Sequence, residues 1–355
     1  MTQPTLKSRR IEVSEAFDVV QDYYEEQGWT DGLPVVPATE DLVRRMLGPF
    51  GEDPGQSLGV IQPRNAQVTL EKVAVNAVMA GCRPEHFPVV LAAVRAIMKP
   101  EFNVAGCQAT TGGAAPVVIV NGPIAKELGI NGDSGCFGPG YRANAVIGRA
   151  LRLVIRNIAG LIPGEMDKAT LSQPGRFTFC FSENEERSPW PARHLELGLD
   201  PGASMITLTA VRAMYPIMET TVAEGMAVLN TLVEGIKVSG FANYYQIGTG
   251  AQITLIICPE HAEEMHAAGL SKEDVRRYIY ENARMPIGKL RGIAHWGNRN
   301  WPSWIDENNP NTLVPVVLHP GDIEIFVAGG DGRHSAWLAG WGVTRVVTQE
   351  ITKSL

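Results

Sequence analysis

The chain has 355 residues, 45% of them hydrophobic, which is more apolar sequence than one core usually holds. Its formal net charge is −7 and it has no Lys/Arg tract, which argues against nucleic acid or an anionic membrane as a partner. No apolar run is long enough to span a membrane and no apolar signal segment opens the chain, so we expect a cytoplasmic protein.

Predicted helices and strands alternate along the chain. In the first half, apolar periodicity and capping residues predict helices over 11–28, 40–47, 68–81 and 86–98. Apolar or alternating runs predict strands over 33–36, 115–122 and 175–183. In the second half, the same signals predict strands over 204–211, 251–257, 314–320 and 322–330, and helices over 220–236, 258–269 and 271–286.

This alternation predicts an α/β fold with mostly short strands and glycine-rich strand-to-helix loops. The polar stretch 183–204 marks the predicted boundary between two layered α/β domains. Residues 1–190 form the domain with the Gly/Cys-rich loops, and residues 191–355 form the domain with the GGDGRHS turn. We expect a ligand pocket at their junction and a homo-oligomeric assembly.

The cysteines indicate thiol chemistry rather than structural bridges. They are odd in number and widely spaced, and they include no C-x-x-C pair, which argues against a disulfide framework and a zinc ribbon. Any cysteine with a functional role should therefore act as a thiol. The five residues are Cys82, Cys107, Cys136, Cys180 and Cys258.

A glycine-rich loop, NGDSGCFGPG at 131–140, stands directly before a predicted helix. Because a helix N-terminus favours negative charge, Cys136 is expected to have a lowered thiol pKa and to be nucleophilic. Arg142 is expected to bind a carboxylate or phosphate with its guanidinium fork. Alternatively, the glycines only turn the chain. The same helical stripe continues as a predicted solvated or subunit-contact face made of Arg149, Arg152 and Arg156.

A second glycine-rich segment precedes the strand over 115–122. Hydroxyl groups and bare backbone beside paired glycines suit a bound carboxylate or phosphate, although a capped glycine turn has the same sequence. The segment matches neither nucleotide-binding glycine motif. Its candidate residues are Cys107, Thr110, Thr111, Gly112 and Gly113. Candidate substrate ligands in the neighbouring loop and helix are Asn131, Ser134 and Asn144.

Two strand ends carry further candidates. Glu183 or Glu185 could be a general base or a metal ligand, or part of a solvated acidic loop. The turn near the C-terminus combines Asp331, Arg333, His334 and Ser335. The HAEEMH segment at 261–266 has the wrong histidine spacing for a zinc motif and is predicted to lie on a surface helix.

Several blocks between about residue 27 and residue 197 are characteristic. They are GWTDGLPVVPATEDLV, EKVAVNAVMAGCRPE, QATTGGAAPVVIVNGPIAKELGIN, SGCFGPGYRANAVIGRALRLV, GEMDKAT and SENEERSPW. Together they resemble the long members of the bacterial UGSC (seleno)protein group, often labelled thioredoxin-like or thiol-disulfide isomerase. GGDGRHSAW at 329–337 is similar in placement to the (seleno)cysteine turn of shorter members, with Gly332 where that residue falls. The resemblance implies a shared architecture and a small-molecule enzyme.

The leading functional hypothesis is a lyase, hydratase or hydrolase that acts on a polar or anionic metabolite. Cys136 or Cys107 would be the nucleophile or a metal ligand, and His334 or Glu183 the acid/base. The cofactor is unknown: a metal ion is one option, and no nucleotide motif is present. One alternative is a thiol-dependent oxidoreductase that uses Cys107 and Cys136. Another is a non-catalytic or co-catalytic subunit for a short UGSC-type partner, which needs an exposed apolar patch near 298–309.

Overall fold

The computed structural model describes residues 5–239, 243–244, 247–291 and 301–354. Its helices are α1 (Phe17–Glu26), α2 (Glu40–Leu47), α3 (Leu70–Met79), α4 (Phe87–Ile97), α5 (Val104–Ala109), α6 (Pro123–Glu127), α7 (Arg142–Asn157), α8 (Arg193–Glu196), α9 (Gly225–Ser239), α10 (Pro259–Ala267), α11 (Lys272–Asn282) and α12 (Ile287–Leu290). Its strands are β1 (Ser57–Ile61), β2 (Ala66–Thr69), β3 (Ala115–Asn121), β4 (Cys180–Ser182), β5 (Met205–Met218), β6 (Ile253–Ile257), β7 (Arg284–Pro286), β8 (Leu313–Pro315), β9 (Ile323–Val327), β10 (His334–Gly340) and β11 (Val347–Glu350). The predicted α/β class is confirmed.

Helices form where local capping signals are strong. Thr39 Oγ1 accepts the N–H of Leu42 at 3.4 Å and so caps α2 as predicted. Ser271 and Asp274 form a reciprocal capping box at the start of α11. Gly28 follows α1 with a φ of +67°, a conformation in which glycine is the favoured residue. These ends are set by residues adjacent in sequence, which explains why the sequence predicts them.

The strand predicted over 33–36 is wrong. The side-chain amide of Gln21 donates to the carbonyl of Val35 at 3.0 Å and accepts its N–H at 2.9 Å. A side chain on α1 thus takes the two backbone groups that a neighbouring strand would use. The segment consequently stays outside any sheet.

Seven strands form one mixed sheet in the order β4-β3-β5-β10-β6-β9, with β11 paired to the first half of β5. β3 and β4 are parallel, as are β6 and β9, and the other neighbouring pairs are antiparallel. The two halves are similar, since in each a parallel strand is followed by two helices, a second parallel strand and an antiparallel strand; in the second half β7, α12 and β8 are inserted before the second parallel strand. The two antiparallel strands, β5 and β10, meet in the middle.

The sheet curls until its two edge strands approach each other. The N–H of Asn184, just after β4, donates to the carbonyl of Val327 at the end of β9 at 2.7 Å. Side chains on the inner face form a small apolar cluster made of Val117, Ile119, Cys136, Phe181, Val211, Ile256, Phe326, Ala328 and Leu338. The outer face packs against two larger clusters, one under α2, α3, α4 and α7 and the other under α9, α10 and α11.

The sheet also crosses the boundary predicted at residues 190–191. β5 lies after that boundary, yet it pairs with all seven residues of β3, which lies before it. The hydrophobic clusters on the two outer faces are nevertheless separate. The two predicted domains therefore share one sheet, and a boundary at 190–191 stays a prediction.

Other elements also differ from the predicted ones. Residues 284–286, at the end of the helix predicted over 271–286, form β7, and β8 covers only the start of the strand predicted over 314–320. β4 covers only the end of the stretch 175–183, because the hydroxyl of Thr178 hydrogen-bonds the carbonyls of Asn144 and Ala145 on α7, at 3.1 and 2.8 Å. The β1–β2 hairpin has no predicted counterpart, and neither do β10 and β11, which follow glycine-rich turns. No helix in the described ranges is long and apolar enough to cross a membrane.

Candidate functional site

Three segments that are far apart in the chain meet around Cys136. The loop 131–137 contacts the end of β4, where Ser182 N–H donates to Asn131 O at 3.2 Å. It also contacts the turn after β9, where Gly329 N–H donates to Gly132 O at 2.8 Å. We call residues 131–137, 182–184 and 329–331 the Cys136 junction. Each of the three segments contains or adjoins candidate site residues predicted from the sequence.

Glycines permit the close approach of these loops. A Cβ on Gly132 would stand 2.2 Å from the carbonyl oxygen of Ser182. A Cβ on Gly330 would stand 2.7 Å from the Cβ of Ser134. Both distances are far below van der Waals contact, so the backbones could not approach this closely with any other residue.

The Cys136 thiol is buried within this junction, and only 6% of the residue is exposed. Burial raises the pKa of Cys136 to about 11, and the nearby backbone N–H groups of Cys136, Gly329 and Phe137 oppose this rise only in part. The expected lowering of this pKa is therefore wrong. The physical reason is that α7 begins six residues later, at Arg142, while Cys136 packs into the inner face of the sheet.

The side-chain amides of Asn131 and Asn144 hold the loop 131–137 in place through hydrogen bonds. The Asn144 amide accepts Asn131 N–H at 2.8 Å and donates to the carbonyls of Asn131 and Cys136 at 2.9 and 3.2 Å. The Asn131 amide and the Tyr141 hydroxyl both donate to Ser134 O, at 3.0 and 3.2 Å. These side chains position Cys136, and we assign them that role in place of the predicted substrate contacts.

Glu183 is placed next to the junction but faces protein groups. Its carboxylate accepts hydrogen bonds from Asn121 Nδ2 at 2.6 Å and from the N–H of Arg193 at 3.0 Å. Lys272 Nζ lies 3.3 Å from it, and the Val327 N–H lies at 3.4 Å. The side chain of Glu183 has no exposed area, so it ties β3, β4, α11 and β9 together. The structure does not present it as an acid/base to a ligand.

Cys107 and the TTGG segment lie before β3, whereas Cys136 lies beyond its other end. Cys107 is fully buried under the helices, and burial raises its pKa to about 11.

The TTGG segment is a turn held by protein contacts. Gly113 has a φ of +67° and packs against Ser172, and a Cβ on Gly113 would stand 2.9 Å from the Cα of Ser172. The hydroxyl of Thr110 accepts the N–H of Gly112 at 3.2 Å, which is a capped turn. Thr111 pairs through its carbonyl with Thr170 N–H. The structure does not bring this segment to Cys136.

The turn that carries Asp331, Arg333 and His334 is held by α10. The Glu260 carboxylate accepts the N–H groups of Gly332 and Arg333, at 2.6 and 2.7 Å. The Arg333 guanidinium forms an ion pair with Glu264. Asp331 pairs with Arg187 at 3.1 Å, and the exposed His334 ring contacts Gly332 O through Nδ1 at 2.5 Å. Protein groups thus occupy most of the polar atoms proposed for a substrate.

Ser335 contacts His261, a residue of the HAEEMH segment. Its hydroxyl lies 2.8 Å from His261 Nδ1 and accepts Cys258 N–H at 3.1 Å, and His261 Nε2 lies 3.0 Å from Glu219 O. The helix has an exposed face, as expected of a surface helix, but His261 is fully buried on its other face. α10 packs one face on the sheet, and His261 is on that face while His266 is exposed. The spacing of the histidines alone carries no signal of this.

The arginine stripe of α7 is not a solvated face. Arg149 pairs with Asp31 through two contacts of 2.8 Å, and Arg156 Nε donates to Gly28 O at 3.2 Å. Arg152 is buried and forms an ion pair with Asp167. Arg142 is the exposed member, and its side chain forms no hydrogen bond or ion pair with the described residues. The structure thus gives no support to a pocket-lining anion ligand at Arg142.

The structure adds little to the metal-ligand and partner-subunit hypotheses. No group of three or more His, Cys, Asp or Glu residues in the described ranges could hold a metal ion. The apolar patch expected near 298–309 lies partly outside the described residues; of its remainder, Trp304 is 52% exposed and Ile305 is buried.

Comparison with known proteins does not identify the chain. No family model matches the chain. No curated protein matches it either. The resemblance to the UGSC group therefore stays a prediction from the sequence blocks.

Proposed function

We propose that the chain is a small-molecule enzyme of hydrolase or lyase type whose reactive group is the Cys136 thiol. The observation that carries this proposal is the convergence of three loops on one sulfur, with the backbone N–H of Phe137 beside it. Such a donor favours a thiolate, and it also favours the negative charge that develops on an oxygen beside it during acyl transfer.

The resting thiol must lose its proton when a substrate binds, because its pKa is about 11. Solvent would take that proton, and the charge of Asp133 raises the thiol pKa and so opposes its loss. In a hydrolytic cycle the sulfur would then bond to an electrophilic acyl carbon, and the leaving group would depart with a proton from solvent. Water would attack the resulting thioester, which releases the acyl group as a carboxylic acid and restores the thiol.

The two alternatives have less support. A redox pair of Cys107 and Cys136 would need Cα atoms roughly 4.4–6.8 Å apart. Both residues are free thiols, and they lie in different apolar clusters beyond opposite ends of β3. A subunit role rests on a patch that lies partly outside the described residues.

Hydrolysis of p-nitrophenyl acetate tests the proposal. We expect a burst of one p-nitrophenolate per chain, and mass spectrometry should place the acetyl group on Cys136. The burst rate should rise about tenfold per pH unit between about pH 7 and 9, as the thiolate fraction of a group with a pKa near 11 grows.

Paired variants make the test specific. Cys136→Ser should lose the burst, whereas Cys180→Ser, at another buried thiol, should keep it. Equal activity of the two variants would remove Cys136 from the mechanism. A burst rate that stops rising near pH 7 would show that the thiol is not the neutral group described above.

A further inference from the structure

Two buried arginines share one carboxylate between α7 and the segment that follows it. Arg152 NH2 lies 3.0 Å from Asp167 Oδ2, and Arg176 NH1 lies 2.5 Å from the same oxygen. The side chains of Arg152, Arg176 and Asp167 are 11%, 4% and 3% exposed. The cluster therefore carries one positive charge more than it carries negative charge, away from bulk water.

The other contacts of the two guanidinium groups are with neutral atoms. Arg152 NH1 donates to Gln108 Oε1 at 2.5 Å. Arg176 donates to the carbonyls of Ala114 and Gln108, at 2.9 and 3.3 Å. Within the described residues, Asp167 is the acid that forms an ion pair with either arginine. Asp31, which lies in the segment between α1 and α2, is already paired with Arg149 on the preceding turn of α7.

Burial of this excess charge is unfavourable. It lowers the pKa of Arg152, and the nearby charge of Arg176 lowers it further. A buried charge without a partner destabilises a fold by several kcal/mol unless a counter-charge reaches it.

A small cavity adjoins both arginines. Its volume is about 10 Å³, and its walls include Arg152, Arg176, Gly148, Gly175, Thr178 and Phe179. The cavity is therefore of a size that a single water molecule or small ion fills. The Arg152 Nε–H donates to no described residue and remains available as a hydrogen-bond donor.

We propose that this cavity is a binding site for a single small monovalent anion of the halide class, with chloride as the physiological candidate. A water molecule would fill the volume but would not neutralise the charge. The anion would lie between the two guanidinium groups, opposite Asp167, and would join α7 to the segment 175–179. It is independent of Cys136, which lies on the inner face of the sheet.

Thermal and denaturant unfolding in sodium chloride and in sodium isethionate, at equal ionic strength, tests the site. Isethionate is monovalent but much larger than chloride. Because a ligand that binds only the folded state stabilises by mass action, the unfolding constant should fall about tenfold for each tenfold rise in chloride above its dissociation constant. Equal stability in the two salts would overturn the proposal.

Two variants and one crystallographic measurement complete the test. Arg152→Gln removes the excess charge and should abolish the chloride dependence, whereas Arg149→Gln, on the same stripe but paired one-to-one with Asp31, should be less stable and keep it. A chloride dependence that persists in Arg152→Gln contradicts the site. If that variant does not fold, anomalous scattering from bromide-soaked wild-type crystals decides: a peak between the arginines supports the proposal, and no peak overturns it.

Discussion

His261 joins three elements through its two ring nitrogens, with the Ser335 hydroxyl at Nδ1 and the Glu219 carbonyl at Nε2. One ring nitrogen must donate and the other accept, which the neutral imidazole satisfies: Nε2–H donates to the carbonyl and Nδ1 accepts from the hydroxyl. Burial lowers the pKa of His261 below its ordinary value. The folded protein therefore contains the neutral ring.

This arrangement predicts a loss of stability in acid. Because the unfolded chain binds the His261 proton at higher pH than the folded chain, the free energy of unfolding should be constant above pH ~7.5 and should fall as the pH drops through about 6.5. Urea unfolding between pH 5 and pH 8 measures this slope. His261→Gln, which can supply one donor and one acceptor, should reduce the slope, and His266→Gln on the exposed face of α10 should not. Equal slopes in both variants would mean that another group is responsible.

Single residues show where sequence reasoning stops. Thr39 and Ser271 are predicted as helix caps because their partners are three residues away. Arg152 cannot be placed in the same way, because its partners Gln108 and Asp167 come from a distant helix and a loop. Helical periodicity gives the face on which a side chain lies, but it does not show what covers that face.

At the scale of elements, loops are attached to the sheet by backbone contacts that glycine permits. The strand and helix types around Cys136 follow from local patterns, yet the meeting of the three loops depends on strand order. β10 is missed because a glycine-rich turn precedes it and its alternation is weak, although it pairs with both β5 and β6. The loop sequence singles out Cys136 as a candidate thiol, but its burial, and hence its raised pKa, follows from the curl of the sheet.

The Cys136 junction should therefore be sensitive to a single methyl group. Gly132→Ala would place a Cβ 2.2 Å from Ser182 O, so the loop must move away from β4. We expect a loss of about 1–3 kcal/mol in the free energy of unfolding, the usual cost of overpacking, together with faster alkylation of Cys136 by iodoacetamide. Gly321→Ala, where a Cβ meets nothing within 4 Å, is the matched control and should change neither quantity. Unchanged alkylation in Gly132→Ala would show that the loop does not shield the thiol.

At the scale of the whole molecule, one sheet connects two similar units. Separate hydrophobic clusters on the outer faces explain why the sequence reads as two domains. The central pair of β5 with β10 and the contact of Asn184 with Val327 connect the units at two places. Local patterns do not contain these pairings, because each one joins residues more than 100 positions apart.

The continuity of the sheet predicts how the chain responds to division. A fragment of residues 1–190 keeps β3 and β4 but loses β5, which hydrogen-bonds β3 along its full length. It would expose the edge of a buried apolar strand, a feature that promotes aggregation. We therefore expect this fragment to be insoluble or to lack near-ultraviolet circular dichroism, and the intact chain to unfold in one transition. A fragment of residues 1–222 restores the β3–β5 pairing and should be more soluble than 1–190. A well-folded 1–190 fragment with dispersed amide resonances would instead establish an autonomous domain that ends near residue 190.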